Sequence, residues 1–184
     1  MAEFGPVRGQ VMRRIRPTPI LMIAMLCGIA ARSPLVGQSS APKGYVHACD
    51  LVSNADVEKV TGRHLKDDPG RLSTTQHTES GCDFWDASIQ VALISSRMPQ
   101  KWVSHVLESN GFDQTEHTLS GVGESASIYF TTKGREPEGL LVSYVGARTL
   151  TVRVKMKADQ TPESAQPYAV ALAKIAVARL PRAE

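Results

Sequence analysis

Residues 81–95 read GCDFWDASIQVALIS and join a cysteine to the strongest strand pattern in the first half of the chain. From Ile89 to Leu93 every second residue is a large aliphatic one, so one face of a strand there can be buried. Cys82 lies at the start of this hairpin, and Cys49 opens the first predicted helix. A bond between the two sulfurs would fasten that helix to the sheet, and this stretch therefore decides the fold.

The charge of the chain is unevenly distributed. Its 184 residues are 42% hydrophobic and 21% charged, which suits one globular domain with a real core, and the formal net charge is +3. Residues 1–41 hold five basic residues and one acidic residue, which leaves 16 basic and 17 acidic residues from Pro42 onward. The positive charge therefore comes from residues 1–41, and the rest of the chain carries about one net negative charge. A nucleic-acid-binding function is not expected for it.

Residues 1–41 have the organisation of a secretory signal peptide followed by a flexible lead-in. Basic residues within 13–16 precede an apolar run at 20–31, after which small residues follow. The run is shorter than the roughly 20 apolar residues that span a membrane. Translation can start at Met1 or Met12, and cleavage can follow residue 30 or 31 or come as late as Ala41. Export to the periplasm or the extracellular space is the prediction.

The three cysteines have different expected fates. Cys27 is either lipidated after export or discarded with the leader, and Met25 and Leu26 before it depart from a lipoprotein signal. If it is discarded, two cysteines remain in an oxidising compartment, and the even count favours a Cys49–Cys82 disulfide over two buried free thiols. A loop of about 33 residues closed in this way stabilises a fold by roughly 3–4 kcal/mol.

Hydrophobic periodicity and turn residues predict an α+β fold, with an antiparallel β-sheet packed against about three α-helices in a single domain over 46–182. Ser53 caps the first helix and Gly62 ends it, while Pro99 starts the second and Thr161 the third. The predicted helices cover 51–62, 99–110 and 161–180. The predicted strands cover 81–95 as a hairpin, 112–118, 127–132, 140–145 and 149–157.

Residues 149–157 alternate apolar and polar side chains more regularly than any other stretch, which indicates a strand with one solvated face or edge. Arg153, Lys155 and Lys157 form a basic stripe on its polar side, with Arg148 nearby. The simplest interpretation is a solvated strand face. The alternative is docking to an acidic partner, a cell-wall polymer or an anionic headgroup.

Three aromatic residues bear on a possible pocket. Trp85 and Trp102 are read as core residues, but the position of Trp85 beside a hairpin turn also suits the rim of a pocket. A shallow apolar groove rimmed by Trp85 and Tyr129 would favour a binding function.

The sequence predicts neither a metal site nor a cofactor. No two of its histidines, at 47, 64, 77, 105 and 117, have the i,i+4 spacing of ligands on one helix face, and there is no Cys-x-x-Cys. Residues 121–123 (GVG) lack the third glycine and following helix of a dinucleotide fingerprint. Residues 123–127 (GESAS) lack the second glycine of a nucleophile elbow, so no catalytic residue is assigned.

Several motifs together resemble a known group of proteins. They are residues 48–62 (ACDLVSNADVEKVTG), 81–84 (GCDF), 120–126 (SGVGESA) and an alanine-rich last helix. They are similar to bacterial secreted proteins and lipoproteins of the DUF3558 type, and in plan to the extracellular sensor domains of some actinobacterial receptor kinases. The resemblance covers about 46–180. It implies an antiparallel sheet backed by helices and paired cysteines, and it implies no activity.

Three functions are compatible with these observations. The first is a non-enzymatic exported bacterial domain that binds a ligand or partner through an open sheet face or a pocket between sheet and helices. The second is a small periplasmic enzyme with a site assembled from scattered His, Ser and Asp residues. The third is a cell-envelope interaction protein that uses the basic strand. A cleft joining two histidines to Ser or carboxylate groups would favour the enzyme.

Overall fold

A computed structural model describes residues 45–73 and 78–181. The predicted signal peptide, Cys27, both candidate start residues and His77 lie outside these residues. Within them, no helix is long and apolar enough to cross a membrane. The described chain forms an α+β domain, as the sequence predicts.

Seven antiparallel strands form one sheet, in the order β1-β2-β3-β7-β6-β5-β4. The β2–β3 hairpin contains residues 81–95, and β3 pairs on its other side with β7, so the stretch reaches the middle of the sheet. The strands are β1 Gly70–Ser73, β2 Glu79–Phe84, β3 Ile89–Ile94, β4 His117–Leu119, β5 Ser125–Phe130, β6 Glu138–Val145 and β7 Arg148–Lys155.

Four α-helices accompany the sheet: α1 Ala48–Leu51, α2 Asn54–Thr61, α3 Gln100–Asn110 and α4 Gln166–Arg179. The predicted capping of the first long helix is confirmed. Ser53 and Asp56 bond reciprocally to each other's backbone N–H groups in a capping box, and Gly62 ends α2 in the left-handed conformation. The last predicted helix begins instead with a 3-10 turn at Pro162–Ala165.

The predicted disulfide is present. Cys49 in α1 is bonded to Cys82 in β2, with 5.0 Å between the two Cα atoms. Cys82 is fully buried, and the neighbouring His47 accepts a hydrogen bond at Nδ1 from the Cys49 N–H over 3.1 Å. The bond fixes the short helix α1, which is too short to be stable alone, against the sheet.

The first face of the sheet carries the main core. Helices α1 and α4 pack on this face, and α2 packs on α4. The fully buried side chains here include Leu51, Val91, Ile128, Leu141, Leu150 and Leu172. The helical layer comes close to the sheet at Gly139, where a Cβ would lie only 2.8 Å from the Cβ of Ala165, so the position requires glycine.

The second face is covered differently. Helix α3 buries Val103 and Leu107 against β5 and β6, where Tyr129, Leu140 and Val142 complete a smaller core. The polar side of β7 lies on this face, as its alternation predicts, because Leu150, Val152 and Val154 point into the main core. The second face is therefore apolar beneath α3 and more polar beside it.

Several boundaries differ from the sequence prediction: the predicted first helix, 51–62, is divided into α1 and α2, and two strands are shorter than predicted. Of the predicted strand 112–118 only residues 117 and 118 are in a strand, because β4 begins at His117, and Phe112 makes an isolated bridge to Thr131. The last strand ends at Lys155, so Lys157 lies beyond it. Polar side chains beside both strands form local turns: Asp113 accepts a hydrogen bond from the Thr115 N–H, and Gln160 accepts one from the Lys157 N–H.

Removal of the disulfide should cost about 3–4 kcal/mol of unfolding free energy, the amount expected for a 33-residue separation. Urea unfolding measured with and without reductant tests this value. The double variant Cys49→Ala/Cys82→Ala should unfold like the reduced protein and should not respond to reductant. Equal unfolding midpoints for the oxidised and reduced wild type would contradict a stabilising role.

Asp56 joins the two ends of the domain, because Arg179 of α4 donates to its carboxylate over 2.9 Å while Ser53 N–H donates over 2.8 Å. Asp56→Ala should lower the unfolding free energy by about 1–2 kcal/mol. The Arg179 guanidinium holds the pKa of Asp56 well below its usual range. Its contribution is therefore complete above the ordinary carboxyl pKa and is lost as pH falls toward the folded-state pKa.

Asp50→Ala is the matched control. Asp50 pairs with Arg71 over 3.0 Å, but both side chains are more than half exposed, so little stability should be lost. Denaturant unfolding of both variants between pH 3 and 7 checks the expectation. Equal losses for the two variants, or a loss for Asp56→Ala that grows as pH falls, would contradict it.

Candidate functional site

The part of the second face that α3 leaves uncovered spans β1, β2, β3 and β7, and we call it the open face. One row of side chains crosses the whole second face through directly paired residues. In order it contains Asp83, Gln90, Arg153, Leu140 and Tyr129. The row is polar on the open face and apolar beneath α3, and Arg153 lies at the boundary between the two parts.

Two adjoining cavities lie along this boundary. The apolar cavity, about 170 Å³, lies between α3 and the sheet. The rim cavity, about 340 Å³, lies beneath the β2–β3 turn. Gln90 and Arg153 line both, so we describe the two cavities together as the groove. The rim cavity falls within the size range of small-molecule sites, roughly 300–1,000 Å³.

The apolar cavity has one helical wall and a sheet floor. Trp102 and Val106 of α3 form the wall, and Ala92 and Thr151, which are paired across β3 and β7, form part of the floor. These floor residues are small, whereas Leu140 and Val142 beside them are large and packed under the helix. The cavity exists because small side chains face the space next to α3.

Arg153 is held in place by a buried carboxylate. Its Nε and Nη2 groups both donate to Glu138, the second bond over 3.2 Å, and its guanidinium lies 5.7 Å from the centre of the Phe112 ring. The Glu138 side chain is only 6% exposed and that of Arg153 is 33% exposed. The Arg153 side chain makes no other hydrogen bond within the described residues, so Nη1 keeps its donors for the groove.

The rim cavity combines cationic, acidic and aromatic groups. Lys155, two residues after Arg153 on the same face, lines it. It lies opposite Glu138 in the β6–β7 register, but it forms no ion pair within residues 45–73 and 78–181. Asp83 lines it too, with its carboxylate accepting a 2.7 Å hydrogen bond from Gln90. The polar groups therefore include one unpaired ammonium beside one carboxylate that already has a hydrogen-bond donor.

Both tryptophans border the groove. Trp85 lines the rim cavity and is 69% exposed, and Trp102 lines the apolar cavity and is 54% exposed. The expectation of a core residue is wrong for Trp102, whereas Trp85 takes the rim position that was its alternative. Trp85 points outward because it begins the 3-10 turn Trp85–Ala87, after which Ser88 takes a positive φ of 57°. Large exposed aromatic side chains beside a cavity are typical of binding surfaces.

The structure brings together three of the five residues that the sequence suggested for binding, because Trp85, Arg153 and Lys155 line the rim cavity. Tyr129 lies in the same row as Arg153 but is buried under α3, so the prediction that it rims a groove is wrong. Burial, with a smaller effect of the nearby Glu116 carboxylate, raises the pKa of Tyr129. Its hydroxyl is a structural group beneath the helix.

Arg148 does not belong to the basic stripe. It precedes Leu150 and Val152 on the first face of β7 and donates over 3.4 Å to the carbonyl of Pro181. Side chains alternate between faces along a strand, so Arg148, five positions before Arg153, lies on the opposite face. The stripe on the open face is therefore limited to Arg153 and Lys155.

The histidines are dispersed. His47 caps α1, His64 pairs with Glu58, His105 is exposed on α3 and His117 packs against the Phe130 ring. None of these four lines either cavity of the groove. Burial, together with the charge of Arg71, lowers the pKa of His47. Among the residues that the structure describes, no group of three or more His, Cys, Asp or Glu residues could hold a metal ion.

The GVG turn has the structural role that its glycines suggest. Gly121 and Gly123 both have positive φ, at 72° and 62°. A Cβ at Gly123 would lie 2.6 Å from the carbonyl oxygen of Tyr144. This turn connects the loop after β4 to β5 and lies outside the groove.

Comparisons with known proteins give no family. No protein-family model matches the chain, and no curated protein matches it. A solved structure of the Ran-binding protein Mog1p from Saccharomyces cerevisiae is similar over 61% of this chain and 82% of its own, with 11% identity. Its TM-score of 0.35 is too low to support a conclusion about fold family or function.

Sequence reasoning missed the residues that make the apolar cavity, above all Ala92, Val106 and Thr151. One signal was available: β6 contains the apolar run Leu140-Leu141-Val142, which indicates burial on both faces, whereas β7 alternates. This difference indicates that another element packs on the second face of β6 and that the second face of β7 stays exposed. It does not say which helix provides the cover.

The Glu138–Arg153 pair should be strongly coupled. Arg153→Met leaves a buried carboxylate without its partner and should cost about 1–3 kcal/mol, less than for a fully buried pair because Arg153 is a third exposed. Adding Glu138→Gln should recover part of this loss, giving a coupling of about 1–2 kcal/mol in a double-mutant cycle.

The same cycle on the exposed Asp50–Arg71 pair serves as the comparison and should give a coupling near zero. Denaturant unfolding supplies the free energies for both cycles. Strictly additive losses at Glu138 and Arg153 would show that the pair does not hold the guanidinium at the groove.

Proposed function

We propose that this chain is an exported, non-enzymatic binding domain whose ligand lies in the groove on the open face of the sheet. The observation that carries the proposal is the pair of adjoining cavities, each bordered by an exposed tryptophan. The secretory leader in the sequence and the Cys49–Cys82 disulfide support the export part.

The shape of the groove suits a small molecule with an apolar part. A cavity of about 150 Å³ lined by apolar side chains accommodates a ring the size of benzene, and the apolar cavity here is of about 170 Å³. Most of its lining residues are apolar, and the polar ones are Glu79, Gln90, Asn110, Thr151 and Arg153. An aromatic or short aliphatic group is therefore favoured against the apolar wall of Val103 and Val106 and the floor at Ala92. The larger rim cavity receives the rest of the ligand.

The two alternative functions have less support. A small periplasmic enzyme requires reactive groups that converge in a cleft, and no described histidine lines the groove. A cell-envelope protein that docks through a long basic strand requires several free cations in a row. Arg153 is paired with Glu138, and Arg148 lies on the other face.

A fluorescent naphthalene probe tests binding in the apolar cavity. N-phenyl-1-naphthylamine is neutral, and its emission rises when it leaves water. Wild-type protein should bind it saturably, whereas Ala92→Leu and Thr151→Leu should lose most of the enhancement, because each extends a side chain from the floor into the cavity.

Leu72→Ser is the matched control, because Leu72 is a large exposed apolar residue that lines neither cavity. This variant should bind the probe like wild type. Thermal unfolding of all variants identifies any that fail to fold. The proposal is wrong if wild type shows no saturable binding, or if both folded floor variants bind as wild type does.

A further inference from the structure

The groove has a polarity that specifies the ligand further. We infer that it takes a small organic acid, with an apolar, preferably aromatic body in the apolar cavity and an anionic group held by Lys155 and the free N–H groups of Arg153. This inference rests on the proposed function and names the chemical class of its ligand.

The position of the two cations is the first argument. Residues two apart on one strand face project their side chains roughly 6–7 Å apart, so a carboxylate or sulfonate fits between an ammonium and a guanidinium. Arg153 lines both cavities, and Lys155 lines only the rim cavity. The anionic end is therefore placed at the junction and on the rim side, away from the helix.

The state of these cations is the second argument. Glu138 uses two nitrogens of Arg153 and fixes the plane of its guanidinium, which leaves the third nitrogen free within the described residues. Lys155 forms no ion pair within the same residues, because the Glu138 carboxylate opposite it is bonded to Arg153. A fixed guanidinium loses little conformational entropy when it binds an anion, so the site is pre-organised.

Asp83 limits the number of negative charges that a ligand in the groove can carry. Its carboxylate also lines the rim cavity and is occupied by the Gln90 amide. A ligand with several negative charges would place some of them near this carboxylate, and like charges at short range repel. The groove thus favours a monoanion over a polyphosphate.

The tryptophans supply the third argument. Trp102 borders the cavity for the ligand body, and Trp85 borders the rim cavity. Aromatic faces pack well against planar apolar groups, and such pairs stabilise a complex beyond the effect of area burial. An aromatic body is therefore preferred over a flexible aliphatic chain.

A matched pair of probes tests recognition of the anionic group separately from binding of the aromatic body. The probe 8-anilinonaphthalene-1-sulfonate has the same aromatic body as N-phenyl-1-naphthylamine and adds one sulfonate. Wild type should bind the sulfonate more tightly than the neutral probe. Lys155→Met keeps the length of the side chain and removes its charge, and it should weaken sulfonate binding roughly three- to tenfold while the neutral probe is unaffected.

Lys157→Met is the control, because Lys157 carries the same charge nearby but lies beyond β7 and does not line the groove. It should leave both affinities unchanged. Equal affinity of wild type for the two probes, or equal effects of Lys155→Met and Lys157→Met, overturns the inference but leaves the proposed function standing. Failure of wild type to bind either probe overturns both.

Discussion

The sheet is wider than the helix that covers its second face, and the site follows from that mismatch. Seven strands spaced about 4.8 Å apart span roughly 29 Å, whereas a helix with its side chains is about 10–12 Å across. Within residues 45–73 and 78–181, the first face carries α1 and α4, and the second carries the 11 residues of α3. About half of the second face must therefore be compatible with water or with a ligand.

The side chains on the second face are distributed accordingly. Under α3 the sheet presents Leu140, Val142 and Tyr129, which the helix buries. Beside α3 it presents Ala92, Thr151 and Gln90, which are small or polar, and the space above them forms the groove. The Glu138–Arg153 pair stands at the border, where a partly buried cation needs a carboxylate to offset its desolvation.

The sequence predicted the parts of the fold that depend on local signals. The capping box at Ser53, the helix that begins after Pro99 and the alternation of β7 each required only neighbouring residues, and each is present. The disulfide was predictable because only two cysteines follow the predicted leader. The resemblance to secreted bacterial domains remains a prediction, because no comparison tests it.

The site was only partly predictable, because it depends on which strands α3 covers. Trp85, Arg153 and Lys155 were identified from a turn and an alternating strand, and they do lie together. Tyr129 and Trp102 were assigned wrongly because local pattern does not report the reach of a helix: α3 buries Tyr129 and leaves Trp102 half outside. Arg148 was predicted to lie near the basic stripe, but it is an odd number of positions from Arg153 and so lies on the other face of β7.

The central claim is that the space beside α3 is a ligand groove, and the indole N–H signals test it most directly. The chain contains two tryptophans, one bordering each cavity, so a ¹⁵N-labelled sample gives two indole resonances. Titration with 8-anilinonaphthalene-1-sulfonate should shift both saturably, with one common affinity. Shifts confined to amides of α4 on the first face, with both indole signals unmoved, would contradict the account.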